Sequence, residues 1–314
     1  MELTLEQIGE LREQLSPLGS EPDLPAQAAP FLTYYGLDFS AACPGAELSM
    51  GIVTSGAYEI ATYCWRQPEA TETLLLVHGY LDHVGLFSHL VRFGLKRGYN
   101  VLAFDLPGHG LSSGQPAAID DFSHYSAAIC DILDASGLNQ QRLRVIAQST
   151  GGAALIDLAS RHPWPFLQTA LLAPLIRPAD WWRVRLTHAL VHRFIHDIPR
   201  KFAKNSTDLA FLGFIQRDPL QSRRIQVGWV GALKRWLSQL KFHDLGVGPV
   251  LVIQGREDAT VDWRYNLRRI ETLFPGSAIE YLPEAGHHLA NESEVLRNLY
   301  LARISDYFDG AAPP

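Results

Sequence analysis

The stretch Ala147-Gln148-Ser149-Thr150-Gly151-Gly152 decides how this chain is read. Before it, Leu143-Arg144-Val145-Ile146 has the length and branching of a buried strand. After it, Ala153-Ala154-Leu155-Ile156-Asp157-Leu158-Ala159 is a run of good helix formers. A strand that passes straight into a helix reverses within about two residues, and the residue at the turn is forced into a strained backbone conformation. Strand and helix can approach only if the positions two before and two after that residue are small. Here they are Ala147 and Gly151, with Gly152 at the helix start. The hydroxyl of Ser149 is then held at a helix N-terminus, where backbone N–H groups and the helix dipole favour developing negative charge. Ser149 is the candidate nucleophile. A plain helix start without chemistry would also fit these six residues, so the flanking sequence has to decide.

Outward from this turn the chain alternates strand and helix. On the N-terminal side lie Leu74-Leu75-Leu76-Val77, a helical pattern over 84–97, Val101-Leu102-Ala103-Phe104 and a helical pattern over 121–135. On the C-terminal side the helix runs to Arg161, and a strand follows over 166–173. Then come Pro249-Val250-Leu251-Val252-Ile253, a helix over 263–274, a strand over 278–282 and a helix over 293–308. Such alternation predicts an α/β fold: a mostly parallel sheet of about eight strands with helices on both faces. At the N-terminal end, Leu3, Ile8, Leu11 and Leu15 predict a short amphipathic helix over 2–15. A proline-rich connector follows from Glu21-Pro22-Asp23-Leu24-Pro25 to Pro30. Residues 31–39 and 51–65 read as strands of an antiparallel hairpin-like start to the sheet.

The alternation is interrupted between 178 and 242. Helical patterns over 181–196, 207–216 and 219–240, with no strand run, predict an inserted lid over the carboxyl ends of the strands. The expected organisation is therefore 1–30 as helix and connector, 31–177 with 243–314 as the α/β core, and 178–242 as the lid. From Trp181 to Lys241 there are twelve Lys or Arg against Asp197, Asp208 and Asp218, a net +9. That leaves −15 for the rest of a chain whose total is −6. The segment also carries Trp181, Trp182, Phe194, Phe202, Phe211, Phe214, Trp229 and Trp236. One expectation is that these aromatics pack the lid on the sheet while the arginines form its solvated face. The other is that aromatics and arginines together meet an acyl chain and an anionic headgroup, giving peripheral contact with an anionic membrane. The bulky apolar residues, with no nucleic-acid motif beside them, argue against a nucleic-acid partner.

The 314 residues are 47% hydrophobic and 19% charged, which suits one large α/β domain or two small ones. No uninterrupted run of about eighteen apolar residues is present. The start, Met1-Glu2-Leu3-Thr4-Leu5-Glu6, is acidic where a secretory signal would be basic and then apolar. Cys43, Cys64 and Cys130 are too scattered for a disulfide framework or a metal site. These features predict a cytoplasmic protein, peripheral at most to a membrane, with no metal and no other cofactor.

A serine hydroxyl needs a base to take its proton, and the base needs an acid to orient it. Two later strand ends offer both. One is followed by Gln254-Gly255-Arg256-Glu257-Asp258-Ala259-Thr260-Val261-Asp262, the other by Pro283-Glu284-Ala285-Gly286-His287-His288-Leu289. Three carboxylates compete there for the acid and two histidines for the base.

Several separate motifs match a known family in the right order: His78-Gly79 with Asp82-His83, Asp105-Leu106-Pro107-Gly108-His109-Gly110-Leu111-Ser112, Gln148-Ser149-Thr150-Gly151-Gly152, Gly255-Arg256-Glu257-Asp258, Ala285-Gly286-His287-His288-Leu289 and the lid piece Asp218-Pro219-Leu220. Over about residues 31–306 the chain resembles the α/β-hydrolase superfamily, and within it the monoacylglycerol lipase/lysophospholipase group of serine hydrolases. The resemblance implies Ser149 as nucleophile, Asp258, three residues past Gly255, as the acid, and His287 as the base, with His288 the alternative. Backbone N–H groups of Tyr80 and Thr150 would form the oxyanion hole. The Tyr80 phenol could enter the pocket or pack outward. His78 and His109 are expected to be structural, while Gln148, Trp181, Trp182 and Arg183 are candidate substrate-binding residues. The expected reaction is hydrolysis of a small-molecule acyl ester or lipid through an acyl-enzyme, the substrate being a monoacylglycerol or lysophospholipid. An aminopeptidase, a thioesterase or a non-catalytic ligand-binding protein on the same fold are the alternatives. Ser149 excludes the relatives that use an aspartate nucleophile.

Overall fold

The computed structural model describes residues 2–20, 24–139 and 141–310, so Glu21, Pro22 and Asp23 of the expected connector lie outside the described residues. Its strands are β1 (Glu47–Ser55), β2 (Tyr58–Arg66), β3 (Glu72–Val77), β4 (Asn100–Phe104), β5 (Arg142–Gln148), β6 (Phe166–Leu172), β7 (Asp197–Pro199), β8 (Arg224–Gln226), β9 (Leu251–Gly255) and β10 (Ala278–Leu282). Eight of them form one sheet in the order β1-β2-β4-β3-β5-β6-β9-β10. β1, β2 and β4 pair antiparallel, and every pairing from β4 to β10 is parallel. The helices are α1 (Leu5–Gln14), α2 (Ala28–Tyr35), α3 (Ser88–Lys96), α4 (Ser123–Ser136), α5 (Thr150–Arg161), α6 (Trp181–Val191), α7 (Leu209–Ile215), α8 (Val227–Gln239), α9 (Trp263–Leu273) and α10 (Glu294–Phe308).

Because side chains alternate across a strand, each apolar run feeds two cores. Leu74, Leu76, Val101 and Ala103 pack on one face with α1, α2, α3 and α10. Leu75, Val77, Leu102 and Phe104 pack on the other with α4, α5, α8 and α9. This double cover explains why β4 and β9 are buried at every position and carry apolar runs over 101–104 and 251–253.

Three expectations need correction. Residues 31–39 do not form a strand: Ala28–Tyr35 is helix α2, which buries Ala28, Phe31, Leu32 and Tyr35 along one side and ends at Gly36 with φ 64°. Aromatic β-propensity gave way there to a helical stripe with a glycine stop. The antiparallel hairpin instead lies wholly within β1 and β2, turning at Gly56 with φ 57°. Finally, the basic segment is not free of strands, since β7 and β8 pair antiparallel over three residues each. α8 accordingly begins at Val227, after β8, and not near Pro219.

The segment between β6 and β9 is unevenly attached. α8 buries Trp229, Ala232, Leu233 and Trp236, with Trp229 and Trp236 against Phe122 and the Tyr125 hydroxyl donated to by the Trp229 indole. α7 buries Phe211 and Ile215. α6 buries no residue at all.

Candidate active site

Ser149 stands between β5 and α5 with φ 52° and ψ −111°, a conformation foreign to most L-residues. Its tightness shows at Gly151, where a Cβ would lie 2.4 Å from the Val77 carbonyl oxygen and 2.9 Å from that of His78. Neither backbone atom can give way, so the position tolerates only glycine without movement. Ala147 two residues before is fully buried and small enough for the same packing.

Two loops bring partners to this serine. After β9, the Asp258 carboxylate accepts from the amides of Thr260 (2.8 Å) and Val261 (3.1 Å), which fixes its orientation. Its other oxygen accepts from His287 Nδ1–H at 2.8 Å and from Gln254 Nε2 at 3.1 Å. His287, after β10, takes the Ser149 hydroxyl at Nε2 over 2.9 Å. The two loops touch through Gly255, whose hypothetical Cβ would fall 2.2 Å from the Gly286 carbonyl oxygen. All three side chains are nearly out of solvent: Ser149 7%, Asp258 6% and His287 7% exposed. Burial alone would raise the Asp258 carboxyl, but His287 and the backbone amides outweigh it and hold it below the ordinary carboxylate range. Burial likewise pushes the His287 imidazole down, and Asp258, with Asp82 behind it, reverses this to a net rise. The arrangement can pass a proton from hydroxyl to imidazole and stabilise the cation that results.

The competing residues are engaged elsewhere. Glu257 is exposed, and Asp262 accepts from Arg177 (2.5 Å) and caps α9 through the Tyr265 amide (3.2 Å). His288 Nε2 bonds Asp82 at 3.0 Å and its ring lies 4.6 Å from that of Phe211. His78 donates from Nδ1 to the Gly79 carbonyl (2.7 Å) and accepts the Leu106 amide at Nε2 (2.8 Å), which is a structural role. His109 donates to the Pro107 carbonyl at 2.9 Å.

Thr150 is the first residue of α5, and Tyr80 lies in the loop after β3, beside Leu81 with φ 68°. The Tyr80 phenol does not point free into a pocket. It stacks on Trp229 at 4.0 Å, donates to the Ala117 carbonyl at 2.8 Å and accepts the Gln226 amide at 3.3 Å. Gln148 donates to Asp82 (3.4 Å) and accepts the Ala290 amide (2.8 Å). Trp181 packs partly against the core. Trp182 and Arg183 face outward and contact each other, with Arg183 3.9 Å from Asp180.

Sequence reasoning gave Glu292 no role, yet its fully buried carboxylate accepts the amides of Gly286 (2.7 Å) and Thr207 (2.8 Å). It thereby ties the histidine loop to the segment before α7, where Asn205 also accepts the His288 amide at 2.8 Å. A charged residue six positions after Gly286 carries no local signal for this. A cavity of about 740 Å³ lies beside the site, between α1, the 108–117 loop and residues 219–222, with Leu81 and Asp82 at one wall. Ser149 and His287 do not line it. Among the described residues no group of His, Cys, Asp or Glu side chains is placed to hold a metal ion, and no helix is long and apolar enough to cross a membrane.

The family described as serine aminopeptidase, S33, a hydrolase family, matches residues 68–294. Human monoglyceride lipase is 28% identical over 136 residues, covering 42% of this chain and 45% of that protein. A pyrethroid hydrolase from Sphingobium wenxiniae is 34% identical over 110 residues, covering 33% of this chain and 38% of that protein. These matches thus span less than half the length of the curated relatives. Among solved structures, a soluble variant of monoglyceride lipase from Saccharomyces cerevisiae superposes with a TM-score of 0.72 at 17% identity, covering 86% of this chain and 96% of that one. The monoacylglycerol lipase of Paleococcus ferrophilus gives 0.65 at 20% identity, covering 82% and 97%.

Proposed function

The chain belongs to the hydrolase family described as serine aminopeptidase, S33, with an α/β-hydrolase fold resembling monoacylglycerol lipase, and we propose that it hydrolyses carboxylic esters through an acyl-enzyme on Ser149. The observation that carries this reading is the unbroken relay of 2.9 and 2.8 Å from Ser149 through His287 to Asp258, drawn from three loops far apart in sequence. His287 accepts the serine proton as the oxygen attacks the ester carbonyl. Asp258 stabilises the resulting imidazolium and keeps Nε2 aimed at the reaction. The oxyanion of the tetrahedral intermediate lies against the amides of Thr150 and Tyr80, the first at the positive end of α5. His287 then protonates the departing alcohol, and water repeats the sequence to free the acid.

The proposed substrate is a lipid ester, a monoacylglycerol or lysophospholipid. α6 supports it: Trp182, Leu186, Leu190 and, just past the helix, Phe194 recur every fourth residue and are 64, 55, 69 and 82% exposed. Arg183, Arg185 and Arg193 alternate with them. An outward apolar stripe among arginines suits a bilayer surface with anionic headgroups. The aromatics of the segment therefore divide: Phe211, Trp229 and Trp236 hold it to the core, whereas Trp182 and Phe194 face solvent. In this reading residues 178–242 act as a lid on a cytoplasmic enzyme that works at the membrane surface.

A fluorophosphonate probe tests the chemistry. Wild-type protein should be labelled at Ser149, and Ser149→Ala should lose both labelling and turnover, by about a million-fold in rate. Wild-type turnover in Ser149→Ala would end the proposal. A panel of acyl esters, monoacylglycerols, lysophospholipids, thioesters and aminoacyl amides then assigns the leaving group. Sedimentation with neutral and anionic liposomes across a salt series tests the stripe, since attraction of the arginines is screened over about 8–10 Å. Absent binding to both removes the membrane from the proposal, and equal binding to both removes the anionic headgroup.

A further inference from the structure

Two sequence motifs, Asp82-His83 and Asp218-Pro219-Leu220, take no part in the proton relay, yet the fold brings them into contact. His83 Nε2 lies 2.8 Å from one oxygen of Asp218. The other oxygen accepts the Tyr35 hydroxyl at 2.6 Å and the Leu220 amide at 3.0 Å. His83, Asp218 and Tyr35 are all buried. Burial disfavours charge on the imidazole, but Asp218 and the nearby Asp105 and Asp82 hold it above its ordinary value. His83 and Tyr35 in turn hold the Asp218 carboxyl low against its own burial. The contact is thus a buried hydrogen bond between two ionisable groups, each favouring the charged form of the other, and loss of one leaves the other without its partner. Gly85 makes room for it: a Cβ there would lie 2.7 Å from the Tyr35 ring and 2.8 Å from His83 Cε1.

The loop that this pair grips begins at Gly79 and contains Tyr80. Leu81, with φ 68°, is in the left-handed region that a leucine rarely adopts, and such strain survives only where neighbours over-determine it. The restraints are visible. Asp82 bonds His288 (3.0 Å) and Gln148 (3.4 Å), the Val84 amide donates to Asp105 (2.7 Å), and His83 between them is fastened by Asp218. Asp218 belongs to the segment between β6 and β9, 135 residues away in the chain. Tyr35, the third member, lies on α2, outside the family match over 68–294.

We infer that Asp218 and His83 are positioning residues: their buried contact makes the segment over the strand ends hold Leu81 in its strained turn, and so aims the Tyr80 N–H at the reacting carbonyl oxygen. This rests on the serine-hydrolase reading above. Removing one oxyanion donor from such a site typically lowers turnover by 10²–10³. A donor left in place but loosened should lower it by about 10- to 100-fold.

The test compares three variants with wild type, by kcat and KM on a short acyl ester and by the second-order rate of phosphonylation of Ser149, which needs the same donors. Asp218→Ala should lose about 10- to 100-fold in kcat and in phosphonylation rate, with KM within about threefold. Asp218→Asn should recover most of that loss, because its amide oxygen can accept from the Tyr35 hydroxyl and the Leu220 amide while its NH₂ donates to Nε2 of a neutral His83. Gly85→Ala, which displaces both rings and leaves Asp218 untouched, should reproduce the kcat loss and serves if Asp218→Ala does not fold. A folded Asp218→Ala or Gly85→Ala with the wild-type phosphonylation rate overturns the inference, as does a loss carried by KM or shared equally by Asp218→Asn. Wild-type protein that never labels refutes the hydrolase reading itself, whereas labelling that is equal in all variants refutes only the positioning role.

Discussion

Ser149 offers a stability test that is independent of any substrate: replace it by alanine and by glycine and compare the two. Both changes remove the hydroxyl and its 2.9 Å bond to His287, so that loss cancels in the difference. What remains is backbone. At φ 52° and ψ −111° the residue sits near the first central position of a type II′ turn, which glycine dominates. Holding an L-residue there costs roughly 1–3 kcal/mol, toward the upper end for so remote a region, and glycine escapes the cost. Against glycine stand roughly 0.5–1 kcal/mol of extra unfolded-state entropy and roughly 0.8 kcal/mol for one lost buried carbon. The sum leaves Ser149→Gly ahead of Ser149→Ala by about 1 kcal/mol, where an unstrained buried site would leave glycine behind by about 1.5 kcal/mol. In a domain of this size that lead is about 1–3 °C in melting temperature, read by calorimetry or by urea midpoints at equal slope. A glycine variant that melts clearly below the alanine variant would refute the strained turn, and with it the physical reason for placing the nucleophile there.

Because the net effect of Asp258 and Asp82 is to raise His287, and only the neutral imidazole accepts a proton, kcat/KM should rise with pH through a midpoint above about 6.5; a midpoint below that value counts against the relay. Gly151→Ala should cost roughly 1–3 kcal/mol and most activity through its 2.4 Å clash, whereas Ala147→Gly should keep turnover; a stable, active Gly151→Ala contradicts the packing argument. Burial holds His78 down to about 3 and His109 to about 4, so both stay neutral in the fold while the unfolded chain takes up protons below about 6.5. Their contribution is complete above that pH and fades as the pH drops toward 4, the reverse of His83 and His287, whose raised values contribute below 6.5 and fade as the pH rises. In a His78→Asn variant, where the His78 contribution is absent, the unfolding free energy should fall less between pH 7 and pH 4.5 than in wild type, and an equal fall in both would show that the His78 imidazole is not buried neutral.

What the sequence alone determined is local or periodic. The turn at Ser149 is legible because a strand, a strained residue and small neighbours are all contiguous, and the parallel sheet is legible because strands buried on both faces carry mostly apolar runs. The loops after β9 and β10 could be singled out as sources of an acid and a base by chain order. Which carboxylate and which imidazole meet was a matter of tertiary structure, once residue resemblance is set aside: Asp258 and Asp262 are four residues apart, yet one faces His287 and the other caps α9. The same holds for 31–39, where aromatic residues suggest a strand and the core they pack against makes a helix. It holds for the aromatics from 181 to 236, which composition cannot sort into anchors and an exposed stripe. Tyr80 against Trp229, Glu292 beneath the histidine loop and Asp218 on His83 are contacts between residues far apart in sequence. A side chain's chemistry is written in the sequence, but its partner is chosen by packing, and packing joins positions that no local pattern relates.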